Sequence, residues 1–403
     1  MLNLKSRSVS ATRGGLWRRR ALSLTLLLLA TEFLDEFIFG AREAAWPLIR
    51  NDLRLSYTEI GLLLSLPAVF GHLVEPALGI LADIWKRRAL ILGGGIVLAC
   101  GLLLTFGSYS FPLLIVAFAL LSPASGAFVG LSQAALMDAA PEERERNMAR
   151  WELAGSLGNV VAPLVLSLAL TVGAGGRSLY AGQALFALLL VAAAWRVPFD
   201  APLARREHEA PSGLREGLRG VVRALRRREV WRWLVLLELA DLLMDGLHAY
   251  LALYFVDVVG LSETKAGLAL VVWTCAGLPG DILLLPLLKR VRGLSYLRVS
   301  ACVMLLLFPL FLLAPGAGLK LVVLGLIGFG NAGWYAIMKA QLYDAMEGRS
   351  GTVMTLSNVS GLFNGLIPLG LGLVAERLGL ATAMWLLILG PLALLFGVPR
   401  ESK

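Results

Sequence analysis

The chain repeats itself after 206 positions, and the residues that coincide include carboxylates inside apolar segments. Glu32 falls on Glu238, and Asp35 falls on Asp241. The other coincidences are Gly40 with Gly246, Leu55 with Leu261, Ser56 with Ser262, Thr58 with Thr264, Gly61 with Gly267, Gly71 with Gly277, Asp138 with Asp344, Met148 with Met354 and Gly155 with Gly361. A repeat of half the chain length, with no net insertion, predicts two like helical bundles in one chain.

The composition places both bundles in a membrane. Hydrophobic residues make up 58% of the chain and charged residues 16%, and the mean hydropathy is +0.75. A soluble fold of this length could not bury so much apolar surface. Cys100, Cys275 and Cys302 lie in apolar segments, where we expect them to pack as small hydrophobic side chains. They suggest neither a disulfide framework nor a metal site, and we expect no cofactor.

Apolar stretches of about 20 residues, broken by charge, proline or glycine, predict twelve transmembrane helices. Their approximate ranges are 22–46, 57–80, 88–108, 111–137, 149–172, 178–197, 231–256, 264–288, 295–314, 319–343, 351–374 and 379–398. The basic residues 18–20 and the apolar residues 21–30 imitate a signal peptide. Because the hydrophobic helix continues to about residue 46, we interpret this segment as an uncleaved first span.

The distribution of positive charge predicts the orientation. Of the 37 lysines and arginines, 29 lie in the two tails and in the loops between even and odd spans, and six lie in the opposite loops. This bias predicts a multi-pass protein of the cell membrane with both termini in the cytoplasm. The predicted order is a basic tail (1–21), a first six-helix bundle (22–197), a cytoplasmic linker (198–230), a second six-helix bundle (231–398) and a short tail (399–403).

The linker contains an amphipathic basic segment. Arg219, Arg223 and Arg226 to Arg228 follow helical spacing beside leucines and valines. This pattern suits a helix that lies on anionic lipid, and it favours membrane anchoring over nucleic-acid binding.

The loop between the second and third spans carries a recognisable motif. From Gly79 to Arg88 it has an aspartate at Asp83 and a basic run that ends with Arg87 and Arg88. This pattern resembles the signature loop of the major facilitator superfamily, although Lys86 stands where that family usually has glycine. The resemblance implies that these residues form a cytoplasmic charge latch between the two bundles.

The twelve spans, the long cytoplasmic middle loop and a second loop motif extend the resemblance over essentially the whole chain. The segment that contains Asp138 and Arg144 is similar to the family's loop between helices four and five, and the resemblance adds both residues to the latch. Residues 155–163 resemble a glycine- and proline-rich motif of drug and proton antiporters, without its Gly-Pro dipeptide. Helix four contains no arginine, which many proton-coupled members have there. The implied fold is all-α, with two pseudo-symmetric six-helix bundles.

Two predicted spans carry an ionisable face. At 100° per residue, the polar groups of the seventh span fall within about 80°, and those of the first span within about 120°. The seventh-span groups are Glu238, Asp241, Asp245 and His248, and the first-span groups are Glu32, Asp35, Glu36, Arg42 and Glu43. Several of these carboxylates lie roughly 15–21 Å from the cytoplasmic helix ends. Each charge at that depth costs about 2.5–3.5 kcal/mol if it faces lipid, so we expect these groups to face protein or water.

The family resemblance places helices one, four, seven and ten around a central cavity, with the acids of the two bundles on opposite walls. Neighbouring carboxylates repel one another when ionised, so we expect some of them to hold protons that a cationic solute displaces. Further candidates for the cavity wall are Phe37, Gln133, Tyr250, Trp273, Asn331, Trp334 and Tyr335. Lys339 could either contact the solute or extend to the membrane surface. The alternative is structural pairing, as between Arg42 and Glu43 or between His72 and Glu75.

The leading hypothesis is a monomeric secondary transporter that exports a small organic, cationic or amphipathic solute in exchange for protons. One alternative is coupled symport of a nutrient or a metal ion, and another is a receptor on the same fold that transports nothing. The chain has no nucleophile elbow, no His-Glu-x-x-His run and no phosphate-binding loop, so we do not expect an enzyme.

Overall fold

The computed structural model describes residues 5–84, 86–139, 144–196, 227–345 and 360–399. Nearly all of these residues are helical, and none of those ranges contains a β-strand. Most of the predicted linker, including Arg219, Arg223 and Arg226, lies outside the described residues.

The first repeat contains six helices. They are α1 (Lys5–Leu53), α2 (Tyr57–Ile84), α3 (Arg87–Phe106), α4 (Phe111–Ser125, a π-helical turn at Gly126–Gly130, and Leu131–Ala139), α5 (Arg144–Thr171) and α6 (Ser178–Arg196). α1 extends beyond the predicted span at both ends, since its flanking basic and polar residues are compatible with a helix outside the membrane.

The second repeat has the same order of elements. They are α7 (Arg228–Asp257), α8 (Glu263–Leu288), α9 (Gly293–Leu313), α10 (Ala317–Gly330 and Trp334–Ala345), α11 (360–364 and Ile367–Leu378) and α12 (Leu380–Met384, a 3-10 turn at Trp385–Ile388, and Leu389–Gly397). α10 is interrupted at residues 331–333, where Gly333 has a φ of +71° that favours glycine.

Nine helices in the described residues are long and apolar enough to cross a membrane. They match nine of the predicted spans, so the protein is a polytopic membrane protein. The first and seventh predicted spans form helices that are not in this set, and the eleventh lies partly outside the described residues. Twelve membrane crossings therefore remain a prediction.

The outer surface of the helices is apolar. Leu73, Leu306 and Phe396 are more than half exposed, as expected of side chains that contact lipid. Each of the three cysteines is also exposed, which corrects the expectation that they pack inside the protein. In a bilayer, an apolar residue gains no free energy by leaving the lipid for the protein core, so hydrophobicity alone does not predict burial.

The two halves meet at two helix pairs that are equivalent under the repeat. α2 packs against α11, and α8 packs against α5. In the repeat, α2 corresponds to α8 and α5 corresponds to α11, so the two pairs are equivalent contacts. The matched glycines Gly61 and Gly267 lie at these two contacts: a Cβ added to Gly61 would lie 2.8 Å from the Cα of Leu369, and one added to Gly267 would lie 3.2 Å from the Cβ of Pro163. The repeat in the sequence thus corresponds to a pseudo-twofold axis between the halves.

Candidate functional site

The acidic residues of α1 are held by polar groups of their own half. Asp35 accepts a hydrogen bond of 2.7 Å from the Oγ of Ser125 in α4, and Glu36 accepts one from the amide of Asn159 in α5. Glu32 lies against Gly155, whose missing side chain leaves room for the carboxylate, because a Cβ there would lie 2.8 Å from Oε1 of Glu32. α1 therefore presents its acidic face to α4 and α5.

The acidic residues of α7 have an equivalent arrangement in the second half. Glu238 accepts a hydrogen bond from Ser360, and Asp241 accepts one of 3.2 Å from Nδ2 of Asn364. Both donors belong to α11, which is the repeat partner of α5. Lys339 in α10 attracts both carboxylates electrostatically, and its Nζ lies 5.4 Å from the ring centroid of Tyr335. The hydrogen bonds of both acidic clusters thus join residues within one half.

The two halves approach each other through a different set of side chains on α1 and α7. Phe39 stacks on His248, with ring centroids 5.4 Å apart. The guanidinium of Arg42 lies 5.1 Å from the centroid of the Phe39 ring and forms an ion pair of 3.1 Å with Glu43. Asp245, midway along α7, borders open space inside the molecule, and it interacts electrostatically with Glu43 and with Glu238 and Asp241 of the α7 cluster. These residues line the boundary between the halves.

Two acids that the sequence predictions left out lie at the contact between α5 and α8. Glu152 and Asp281 are both exposed, and their carboxylates repel each other across the two halves. Asp281 also accepts a hydrogen bond of 3.2 Å from the backbone nitrogen of Gly333. Glu32 interacts electrostatically with Glu152, so acidic groups extend from α1 to the second half. The only sequence signal for Asp281 was its repeat relationship to Glu75.

The structure places two of the predicted cavity residues inside the second half. Tyr250 and Trp334 are fully buried. The hydroxyl of Tyr250 donates to the carbonyl of Pro368 at 2.8 Å, and Nε1 of Trp334 donates to the Oγ of Ser300 at 2.7 Å. These hydrogen bonds hold both side chains in the core of the second half, and their place on a cavity wall remains a prediction.

The other predicted wall residues have mixed surroundings. Asn331 is buried, Trp273 is half-buried and Tyr335 is exposed. Phe37 stacks on Phe33, and Gln133 donates to the sulfur of Met148 at 3.8 Å between α4 and α5.

The structure does not describe the surroundings of most residues of the predicted latch. These residues are Gly79, Asp83, Asp138 and Arg144. Arg88 donates a hydrogen bond to the carbonyl of Trp195 at the end of α6, within the first half. The latch between the halves remains a prediction.

At the opposite end of the helices, polar contacts join the two halves. Arg50 at the end of α1 forms an ion pair with Asp257 at the end of α7. The hydroxyl of Tyr57 donates to Asp257 at 2.7 Å, and its backbone nitrogen donates to Glu376 at 2.7 Å. These contacts close the end that the charge distribution predicts to face outside. In the sequence, Arg50 is one of the six basic residues in the loops that the charge bias predicts to face outside.

Repeat-related helical halves, an apolar surface and acidic residues inside both halves define a polytopic protein with a transporter fold. The sequence model of the Major Facilitator Superfamily matches residues 25–369. This chain belongs to that superfamily. No curated protein matches it in sequence.

Solved structures share the fold at low sequence identity. The inward-facing, unoccupied structure of a bacterial homolog of the human lysosomal transporter Spinster is 16% identical, with a TM-score of 0.74. That match covers 94% of this chain and 96% of the other. The nucleoside transporter NupG is 17% identical, with a TM-score of 0.75, over 93% of this chain and 97% of the other.

Proposed function

We propose that the protein is a secondary active transporter that exports a small organic cation or amphipathic solute in exchange for protons. The observation that carries this proposal is the pair of acidic clusters midway along α1 and α7, which include the repeat-matched pairs Glu32 with Glu238 and Asp35 with Asp241. Their depth in the membrane is a prediction from the sequence. Charges at that depth are costly, and such residues in membrane proteins usually belong to ion or substrate pathways.

The partners of these carboxylates support a role in proton exchange. Ser125, Asn159, Ser360 and Asn364 donate to them from neutral groups. A hydroxyl or an amide can donate to an ionised carboxylate and accept from a protonated one, so either protonation state keeps a partner. Oδ1 of Asn159, for example, has no hydrogen-bond partner among the described residues and is available to a protonated Glu36. A permanent ion pair would favour the ionised state only.

The arrangement by halves favours alternating access. Each cluster stays with its own half when the halves move, because its hydrogen bonds do not cross the interface. Phe39, Arg42, His248 and Asp245 lie at that interface and change their surroundings when the halves separate. Movement of one half against the other thus exposes the same acids to opposite sides in turn.

Transport by purified protein in liposomes tests the proposal. A pH gradient of either sign is imposed, and the flux of a lipophilic cation such as ethidium is compared with that of a nucleoside as a neutral solute. We expect cation flux against the proton gradient in the wild type and a loss of at least tenfold in the Asp35→Asn and Asp241→Asn double variant. Flux that follows the proton gradient would indicate symport instead. Unchanged proton-driven flux in the double variant would refute the mechanism.

A further inference from the structure

The first half contains a partly open cavity of about 260 Å³ that lies apart from the acids of the second half. Residues of α1, α2, α3, α4 and α6 line it. This volume has room for several water molecules, and it suits a compact organic molecule. It is slightly smaller than the sites that bind drug-sized ligands.

One side of the cavity is acidic. Asp35, Glu36 and Glu75 line it together with the hydroxyls of Ser122 and Ser125. Glu75 packs over Gly126, the first residue of the π-helical turn in α4, and a Cβ there would lie 3.1 Å from its Cγ. Glu75 receives no hydrogen bond from the described residues, whereas Asp35 and Glu36 each receive one. An ammonium group is the ligand that would satisfy this side of the cavity.

The remaining wall is aromatic and ends in an unsatisfied hydroxyl. Phe39, Phe118 and Tyr180 line the cavity, beside Arg42. Tyr180 is only 3% exposed, and its hydroxyl has no hydrogen-bond partner in the described part of the chain. A buried hydroxyl without a partner is costly, so a polar group on a bound molecule would relieve that cost. This orphaned hydroxyl is independent of the acidic cluster, and it also indicates a ligand.

We propose that this cavity binds a small primary amine with an apolar or aromatic body and a polar group at its far end. The ammonium group lies against Glu75 and Asp35, the apolar body lies beside Phe39 and Phe118, whose ring faces are next to the guanidinium of Arg42, and the polar group bonds to the hydroxyl of Tyr180. The inference rests on the proposed transport function, for which it identifies the class of substrate. Phe39 also stacks on His248, so the cavity wall is coupled to the second half.

Binding measurements on the purified full-length protein test the site with tyramine, which has an ammonium group, an aromatic ring and a distal hydroxyl. Phenethylamine lacks the hydroxyl, and 3-(4-hydroxyphenyl)propionate replaces the ammonium with a carboxylate. We expect saturable binding of tyramine by calorimetry, binding of phenethylamine several-fold weaker, and no binding of the propionate. Equal binding of tyramine and the propionate, or no saturable binding of tyramine, would overturn the proposal.

Variants locate the binding in the cavity. Glu75→Gln is expected to weaken tyramine binding at least tenfold, and Tyr180→Phe to abolish the difference between tyramine and phenethylamine. Leu64 also lines the cavity, and Leu64→Phe adds volume there without changing the charge. It should also weaken tyramine binding, so the site can be tested even if the Glu75→Gln protein folds poorly. Asp52→Asn, at the outer end, is the matched control for charge removal and should bind as the wild type does. Unchanged tyramine affinity in both Glu75→Gln and Leu64→Phe would refute the assignment.

The liposome assay separates this inference from the transport proposal. Proton-driven cation flux without tyramine binding would refute the cavity assignment alone. Tyramine binding that depends on Glu75, without proton-driven flux of any cation, would refute the transport proposal alone.

Discussion

Arg50 and Asp257 form an ion pair that joins the end of α1 to the end of α7, with one residue from each half of the molecule. The hydroxyl of Tyr57 donates to the same carboxylate, so Asp257 is shared by two residues of the first half. Asn51 adds a hydrogen bond to Glu263 at the start of α8. This end of the helices is therefore closed by polar contacts that can break in water.

Removing the shared carboxylate should favour opening at this end. Both members of the pair are about one quarter exposed, so the pair contributes no more than about 1 kcal/mol, and Asp257→Asn should raise the open population about two- to fivefold. Ser65→Cys, buried beneath this end, reports opening through its rate of labelling by a membrane-impermeant maleimide in a protein without its native cysteines. Asp52→Asn, whose partner Arg177 is in the same half, is the control and should leave the rate unchanged.

Gly61 and Gly267, at the two equivalent helix contacts between the halves, should differ in how well they tolerate substitution by alanine. A Cβ added to Gly61 would lie 2.8 Å from the Cα of Leu369 and 2.9 Å from the carbonyl oxygen of Pro368. These backbone atoms belong to α11 and cannot move unless the whole helix moves. Gly61→Ala should lower the free energy of unfolding by about 1–3 kcal/mol, and Gly267→Ala by less. Gly93→Ala, where nothing lies within 4 Å, should be neutral or stabilising. Thermal denaturation in detergent ranks the three, and equal effects would contradict the tight contact at Gly61.

Lys320 has a structural role that its place at the start of a predicted span did not indicate. Its Nζ is buried and donates to the carbonyls of Phe311 and Leu312 at 2.7 and 2.8 Å, and to the hydroxyl of Tyr254 at 3.0 Å. These carbonyls end α9, where a cation also complements the helix dipole. Lys320→Met should reduce the free energy of unfolding by about 2–4 kcal/mol, because the carbonyls lose a charged donor. The exposed Lys265→Met variant serves as the control in chemical denaturation.

Trp334 is expected to contribute to stability and not to solute binding. Replacing it with phenylalanine removes the donor to Ser300 and leaves a buried hydroxyl with one partner fewer, which should cost about 1–3 kcal/mol. Transport by the folded fraction should keep the wild-type KM. A raised KM for transport with unchanged stability would instead indicate that Trp334 contacts the solute at the cavity wall.

Much of the architecture follows from patterns along the chain. The apolar stretches predicted nine spans that the structure describes as long apolar helices, and the offset of 206 predicted the related halves. Helical spacing also predicted the polar stripe on α7, since that spacing sets which residues share a side of a helix. The pair of Arg42 and Glu43, proposed as structural, is present as an ion pair.

Partners from distant helices could not be predicted in this way. Asn159 bonds to a residue 123 positions earlier, and Ser360 to one 122 positions earlier. Hydropathy does not record which two helices touch, and a serine or an asparagine in an apolar span has no distinctive signal. Tyr250 and Trp334 illustrate the same limit, because aromatic residues suit a cavity wall and a core equally well.

The sequence by itself determined the membrane environment, the duplication, and the two helices that carry acidic faces, because these depend on composition and on periodicity within one segment. Only the tertiary structure decided that each acidic face contacts donors in its own half, that Phe39 meets His248 between the halves, and that a cavity lies beside Asp35 and Tyr180. The reason is physical: these features depend on how helices pack, and packing brings together side chains whose separation along the chain is unrelated to their distance in space.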